Sequence, residues 1–153
     1  MFHKAIIQTP IGKLGIFTTD HLLTRLDFLT DDSALIAPNE EILDYIVSQL
    51  NQYFQYPSFQ FNISYQLQGT PFQKKVWQTL SNLPIQKTVS YGMLAKKLKT
   101  GARAIGNACR ANPLPILIPC HRVVAQGHFG GYKGKEISIK KWLLQHEFYS
   151  PTF

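Results

Sequence analysis

The residues able to do chemistry gather in one stretch, Ile116-Leu117-Ile118-Pro119-Cys120-His121-Arg122-Val123-Val124, where a thiol and an imidazole follow an apolar run. The thiolate is the nucleophilic form of cysteine. A free thiol is mostly protonated at neutral pH, so Cys120 needs a base or a positive field to react. His121 is adjacent, but successive side chains on an extended chain point to opposite sides. Contact between them needs an unusual turn or a bridging water. Pro119 restricts the backbone just ahead of the thiol. Cys120 can equally be a small buried hydrophobe, and spacing alone leaves both readings open.

Glu147 is a second candidate. It falls in the last turn of a predicted helix, where a negative charge opposes the macrodipole. Holding His121 would explain it; a tolerated surface glutamate is the alternative. The other acid in this half is Glu136, in a predicted loop, so paired-carboxylate catalysis and an acidic metal cluster are both disfavoured. Two cysteines, Cys109 and Cys120, make neither a disulfide framework nor a CxxC metal site. Gly127-His128-Phe129-Gly130-Gly131-Tyr132-Lys133-Gly134 is glycine-rich but is not a phosphate cradle of the GxxxxGK[ST] type.

These residues sit in a chain of 153 residues, 44% of them apolar and with net charge +7. A packed core is expected, in one domain or two small lobes. No run approaches the roughly 18–20 apolar residues of a membrane helix, and the N-terminus does not read as a signal peptide. A reducing cytoplasm, or the nucleoid, is the expected compartment. The charge is unevenly placed. Residues 1–69 carry Lys4, Lys13 and Arg25 against seven acidic side chains, whereas residues 70–153 carry thirteen basic side chains against Glu136 and Glu147. The second half is suited to a polyanion, nucleic acid above all, although basic surfaces also serve solubility.

The elements that must position the candidates follow from pattern. AIIQT, PIGKLGIFTT and LLTRLDFLT read as an antiparallel meander. A helix follows, with Asn39 as N-cap and Ile42, Tyr45, Ile46, Val47, Leu50, Tyr53 and Phe54 as its apolar face; Pro57 ends it. Phe59–Tyr65 alternates and predicts a further strand. Gly69, Thr70 and Pro71 mark a boundary, giving an N-terminal α/β lobe of residues 1–69 and a C-terminal lobe of 70–153. Thr70 and Gln73 form a capping box around Pro71, ahead of a stripe of Phe72, Val76, Trp77 and Leu80. Ser90 caps a short helix with Leu94, Ala95 and Leu98 inward. Lys99-Thr100-Gly101 turns the chain, and Ala102 to about Ala111 is a second helix. Two short helices around a glycine turn are a helix-turn-helix signature. Ala102, Ile105, Ala108 and Cys109 make the inward face of the second. Arg103, Gly106, Asn107 and Arg110 face out, a surface suited to DNA or simply to solvent. A last helix over about Ser138–Phe148 has Ile139, Trp142, Leu143 and His146 on one side. The fold class is α/β (α+β), with a small antiparallel-sheet-plus-helix lobe before a mostly helical, winged-helix-like lobe.

With these residues assembled, the chain resembles the O6-alkylguanine-DNA alkyltransferases (methylated-DNA–protein-cysteine methyltransferases). The resemblance runs from about Thr70 to Glu147 through PFQKKVWQTL, TVSYGMLAKKL, ARAIGNACRANP, ILIPCHRVV, GGY and KKWLLQHE, and more loosely over the first lobe through TPIGKLGIF. It implies direct-reversal repair. An alkyl group on O6 of guanine, and less readily on O4 of thymine, passes irreversibly to Cys120, once per molecule. It also implies a monomer binding double-stranded DNA through the minor groove, with the damaged base flipped into a pocket. Arg103 would fill the vacated stack. Tyr91 would help rotate the nucleotide and protonate the leaving guanine. His121 would act as base through a water, held by Glu147, while Asn112 braces the turn. Pro115 would line the pocket, and the backbone at Cys120 and Val123 would read the guanine edge. Gly106, Asn107 and Arg110 would complete the DNA face.

No diffusible cofactor is implied. Some members bind zinc through first-lobe cysteines, which this chain lacks, so zinc is not expected. Gln86 stands where the family often has glycine, and Cys109 where methionine is common. Two other classes compete. A non-enzymatic lesion sensor of this family lacks the acceptor cysteine. An unrelated cysteine hydrolase places its histidine far from the cysteine in sequence.

Overall fold

The computed structural model describes residues 2–125 and 137–149. The glycine-rich stretch 127–134 and Glu136 lie outside the described residues. The chain forms two compact units, one reaching Leu67 and the other starting at Gln68.

The first unit is a three-stranded meander, β1 (Ala5–Thr9), β2 (Gly12–Thr19) and β3 (Leu22–Leu29), with a helix, α1 (Glu41–Gln55). The turns explain the register. Gly12 has φ +103°, and Asp20 and His21 are both left-handed, as a tight two-residue hairpin turn requires. β2 is the central strand and is buried on both faces from Leu14 to Thr18.

Three expectations for this unit are corrected. Glu40, not Asn39, is the α1 N-cap, and its side chain makes no cap bond. The buried stripe runs through Leu43, Ile46, Leu50 and Tyr53, whereas Tyr45 is exposed. Its hydroxyl is drawn outward to donate to the carbonyl of Asn62 at 2.7 Å. Phe59–Tyr65 is not a strand; it makes one bridge, Leu23 with Tyr65. The Gln49 side chain satisfies Asn62 by accepting from its N–H at 2.7 Å and donating to its carbonyl at 3.2 Å. The rings of Phe59 and Phe61 pack edge to face, with Phe61 against Tyr53. Ring packing accounts for the alternation without a ladder.

The second unit contains α2 (Pro71–Ser81), β4 (Val89–Ser90), α3 (Tyr91–Lys97), α4 (Ala102–Arg110), a 3-10 turn (Cys120–Arg122), β5 (Val123–Val124) and α5 (Ile137–Tyr149). α2 opens on the predicted capping box: Thr70 accepts from Gln73 N–H, and the Gln73 side chain accepts from Thr70 N–H. Val76, Trp77 and Leu80 are buried, and the Trp77 indole donates to the Ala108 carbonyl at 2.8 Å, tying α2 to α4. Ser90 caps α3 by accepting from Met93 N–H. Lys99, at φ +56°, turns the chain into α4. Ile105, Ala108 and Cys109 are buried as expected, but Ala102 is exposed, since it opens the helix beyond the packed turn.

α5 departs further from expectation. Its buried stripe is Lys140, Leu143, Leu144 and Glu147; Ile139, Trp142 and His146 are only partly covered. An apolar pattern could not reveal a face that buries two charged residues. Among the described residues, no helix is long and apolar enough to cross a membrane.

Candidate active site

The segment after α4 folds back on itself around one side chain. Asn112 is fully buried. Its amide nitrogen donates to the Ile118 carbonyl at 2.8 Å and to Cys120 Sγ at 3.1 Å, and its oxygen accepts from Leu114 N–H at 2.9 Å. Ile118 N–H returns to the Leu114 carbonyl, and Cys120 N–H to that of Ile118. Ile116 adopts φ +80°, a rare conformation for a β-branched residue, while being almost wholly buried. Pro115 is buried beside it.

Cys120, 2% exposed, opens the 3-10 turn rather than lying on a strand. The turn removes the premise that Cys120 and His121 lie on extended chain. A donated hydrogen bond favours the charged form of an acceptor, so the Asn112 amide favours the thiolate. β5 then pairs in parallel with β4, Val89 with Val123 and Ser90 with Val124, which brings the start of α3, and Tyr91, alongside the motif.

His121 and Glu147 are fully buried and meet at 2.7 Å between Nε2 and Oε2. Arg122 grips the same carboxylate, Nε to Oε1 at 2.8 Å and Nη2 to Oε2 at 3.1 Å, and its Nη1 donates to the Leu83 carbonyl at 2.8 Å. Burial alone would raise the Glu147 pKa, but hydrogen bonds and charge from His121 and Arg122 outweigh it and hold the carboxyl at about 2. Burial lowers the His121 pKa against the pull of Glu147. The imidazole is therefore neutral beside an ionised carboxylate. A carboxylate only accepts, so Nε2 carries the ring hydrogen and Nδ1 keeps its lone pair. Nδ1 is buried with no hydrogen-bond partner among the described residues. A lone pair held in this way can accept a proton.

Tyr91 is half-buried. Burial, with Cys109 and Cys120 nearby, pushes its hydroxyl up to about 12, so it remains a proton donor. Cys109, 7% exposed, is pushed up to about 12 by burial and stays a thiol. Val123 is fully buried. On α4, Arg103, Asn107 and Arg110 are exposed and Gly106 is half-exposed, opposite the buried face. A Cβ built on Gly106 would meet nothing within 4 Å. Glycine within a helix costs about 1 kcal/mol relative to alanine. Nothing in the described packing calls for it, which points to close approach by something outside the fold.

Three partners escaped the sequence reading. Arg122 was signalled indirectly, because a carboxylate at a helix C-terminus calls for a cation. Gln86 occupies a left-handed position, φ +64°, a conformation that favours glycine, and its amide donates to the Glu147 carbonyl at 3.2 Å. Lys140 is buried, with Nζ donating to the Val123 carbonyl at 2.6 Å. Neither of these two carries a sequence signal.

Fold and site together define a class: a helix-turn-helix unit whose second helix leads directly into a buried thiol beside a His–Glu–Arg array. Residues 71–148 match the family described as 6-O-methylguanine DNA methyltransferase, DNA binding domain, and residues 2–66 its ribonuclease-like domain. The methylated-DNA–protein-cysteine methyltransferase of Methanosarcina mazei is 36% identical over 150 residues, covering 93% of this chain and 94% of that protein. The crystal structure of Mycobacterium tuberculosis O6-methylguanine methyltransferase superposes with a TM-score of 0.85 at 33% identity, covering 100% of this chain and 97% of that one. The OGT protein of the same organism, solved in complex with DNA, gives 0.79 at 35% identity over 93% and 90%. The chain belongs to the O6-methylguanine-DNA methyltransferase family.

Proposed function

We propose that this protein removes the alkyl group from O6-alkylguanine in double-stranded DNA, and less readily from O4-alkylthymine, by transferring it to its own Cys120. The observation that carries this is the buried array of His121 and Arg122, from the turn that holds Cys120, around Glu147 of α5. The Sγ proton passes through a water to His121 Nδ1, leaving a thiolate favoured by the Asn112 amide. Sulfur attacks the alkyl carbon, an S–C bond forms and the C–O6 bond breaks. The electron pair stays on guanine, which takes a proton from Tyr91. Glu147 stabilises the imidazolium that forms. The thioether is too stable to return the group, so each molecule reacts once.

Reaching O6 requires the base to leave the stack. Arg103 enters the vacated space, and Gly106, Asn107 and Arg110 lie along the backbone. Pro115 lines the pocket, and the backbone at Cys120 and Val123 reads the guanine edge. Neither cysteine is in a disulfide, which supports a reducing cytoplasm, with the nucleoid as the DNA-bound location.

Incubation with an oligonucleotide duplex containing O6-methylguanine is expected to add one methyl group to the peptide carrying Cys120, read by mass spectrometry. Folded protein without that adduct, or an adduct that persists in Cys120→Ser, overturns the assignment.

A further inference from the structure

Lysine is rarely buried completely, yet Lys140 is, on the stripe of α5 that also carries Glu147. An aliphatic side chain would fill the same space without the cost of desolvating a charge. The ammonium has definite neighbours. It donates to the Val123 carbonyl at 2.6 Å and lies 5.6 Å from the centroid of the Tyr91 ring. Charged and titratable groups face it from each packed element: Tyr91 from α3, Cys109 from α4, and Cys120 and His121 from the 3-10 turn. Burial lowers its pKa and the neighbouring Cys120 and Cys109 sulfurs oppose that, leaving it at about 8. By reciprocity, the lysine cation favours the Cys120 thiolate and opposes the His121 imidazolium, which Glu147 offsets.

We propose that Lys140 is a positioning residue of the acceptor site, a buried cation that fixes the Val123 carbonyl and the Tyr91 ring and favours the ionised Cys120 sulfur. This rests on Cys120 being the acceptor. Lys140 keeps its proton throughout: the proton lost by Cys120 goes to His121, and the one gained by guanine comes from Tyr91. The lysine sets the field on the sulfur side as Glu147 does on the imidazole side. Its electrostatic contribution exists while it is protonated and fades as pH rises through about 8.

The test compares wild type with Lys140→Met, which keeps the stem and removes the charge. Two reactions of Cys120 are timed by mass spectrometry from about pH 6 to about pH 10, a range spanning the lysine's titration. One is methyl transfer from the O6-methylguanine duplex; the other is alkylation by iodoacetamide, which needs no DNA. In wild type both profiles are expected to bend near pH 8. In Lys140→Met both rates should fall by about 10- to 100-fold below the bend, the scale of a lost charged hydrogen bond, and the bend should vanish. A folded variant with wild-type rates and an unchanged bend overturns the proposal. Should that variant fail to fold, NMR titration of Lys140 in wild type decides: agreement with the bend supports the role, and a mismatch of more than about one pH unit overturns it. A wild type silent toward DNA but bending with iodoacetamide would indict the repair function, not the lysine.

Discussion

At the scale of single residues, the site depends on one carboxylate accepting from both the His121 imidazole and the Arg122 guanidinium. Removing one partner of a buried pair costs about 3–5 kcal/mol, because the other is left uncompensated. Glu147→Gln is therefore expected to lower stability by that order and to slow methyl transfer. Its pH signature is specific. Both His121 and Glu147 have folded-state pKa values below their ordinary 6.5 and 4.5. The unfolded chain thus binds more protons, and stability is lost as pH falls. His121 contributes its loss below 6.5, and Glu147 contributes its own between 4.5 and about 2. Urea unfolding across that acid range should show the gap between wild type and Glu147→Gln narrowing as pH falls; a constant gap would deny that the carboxylate is ionised in the folded state. Cys120, His121 and Glu147 stood out in the sequence, but spacing left an inert buried thiol and a tolerated surface glutamate open, and the family resemblance supplied their expected roles. Lys140 and Gln86 gave no hint of their partners, which are backbone carbonyls that only the fold brings near, and Arg122 was signalled only indirectly through the carboxylate it meets.

Among the elements, α4 is the most constrained. Its inward face obeys ordinary helical spacing, so Ile105, Ala108 and Cys109 could be read from sequence. Its outward glycine had no structural explanation there and has none in the described packing. Gly106→Ala should therefore stabilise the fold by about 0.5–1 kcal/mol while weakening duplex binding. Thermal melting with DNA titration checks both signs; unchanged affinity would mean that no backbone approaches this face. Caps at Thr70 and Ser90 were legible because a cap is a local bargain between a side chain and the next turn. Phe59–Tyr65 was misread because aromatic packing and a β-ladder leave the same alternating pattern. α5 was misread because its buried face is half charged, and hydropathy sorts charged residues outward.

For the whole molecule, the partition of charge is the main physical statement. The first half has a net acidic balance, while thirteen of the sixteen Lys and Arg side chains fall from residue 70 onward. Phosphate binding releases counterions, so duplex affinity should fall by at least about tenfold between 50 and 200 mM salt. Fluorescence anisotropy at graded salt measures the slope, and a flat response would exclude a phosphate-contacting surface. The sequence changes in charge and in pattern near Gly69, and the chain passes from one compact unit to the other between Leu67 and Gln68.

The left-handed Ile116 has a consequence for which substitutions this position tolerates. Its backbone favours glycine, with a strain of roughly 1–2 kcal/mol for any other residue. Its buried side chain favours a large aliphatic group, whose removal costs about 2–5 kcal/mol. The larger demand prevails, so the isoleucine stays in a conformation that disfavours it. Neighbouring core positions can drift among aliphatics of equal volume. Position 116 answers to two opposed requirements, and its range of acceptable residues is correspondingly narrow.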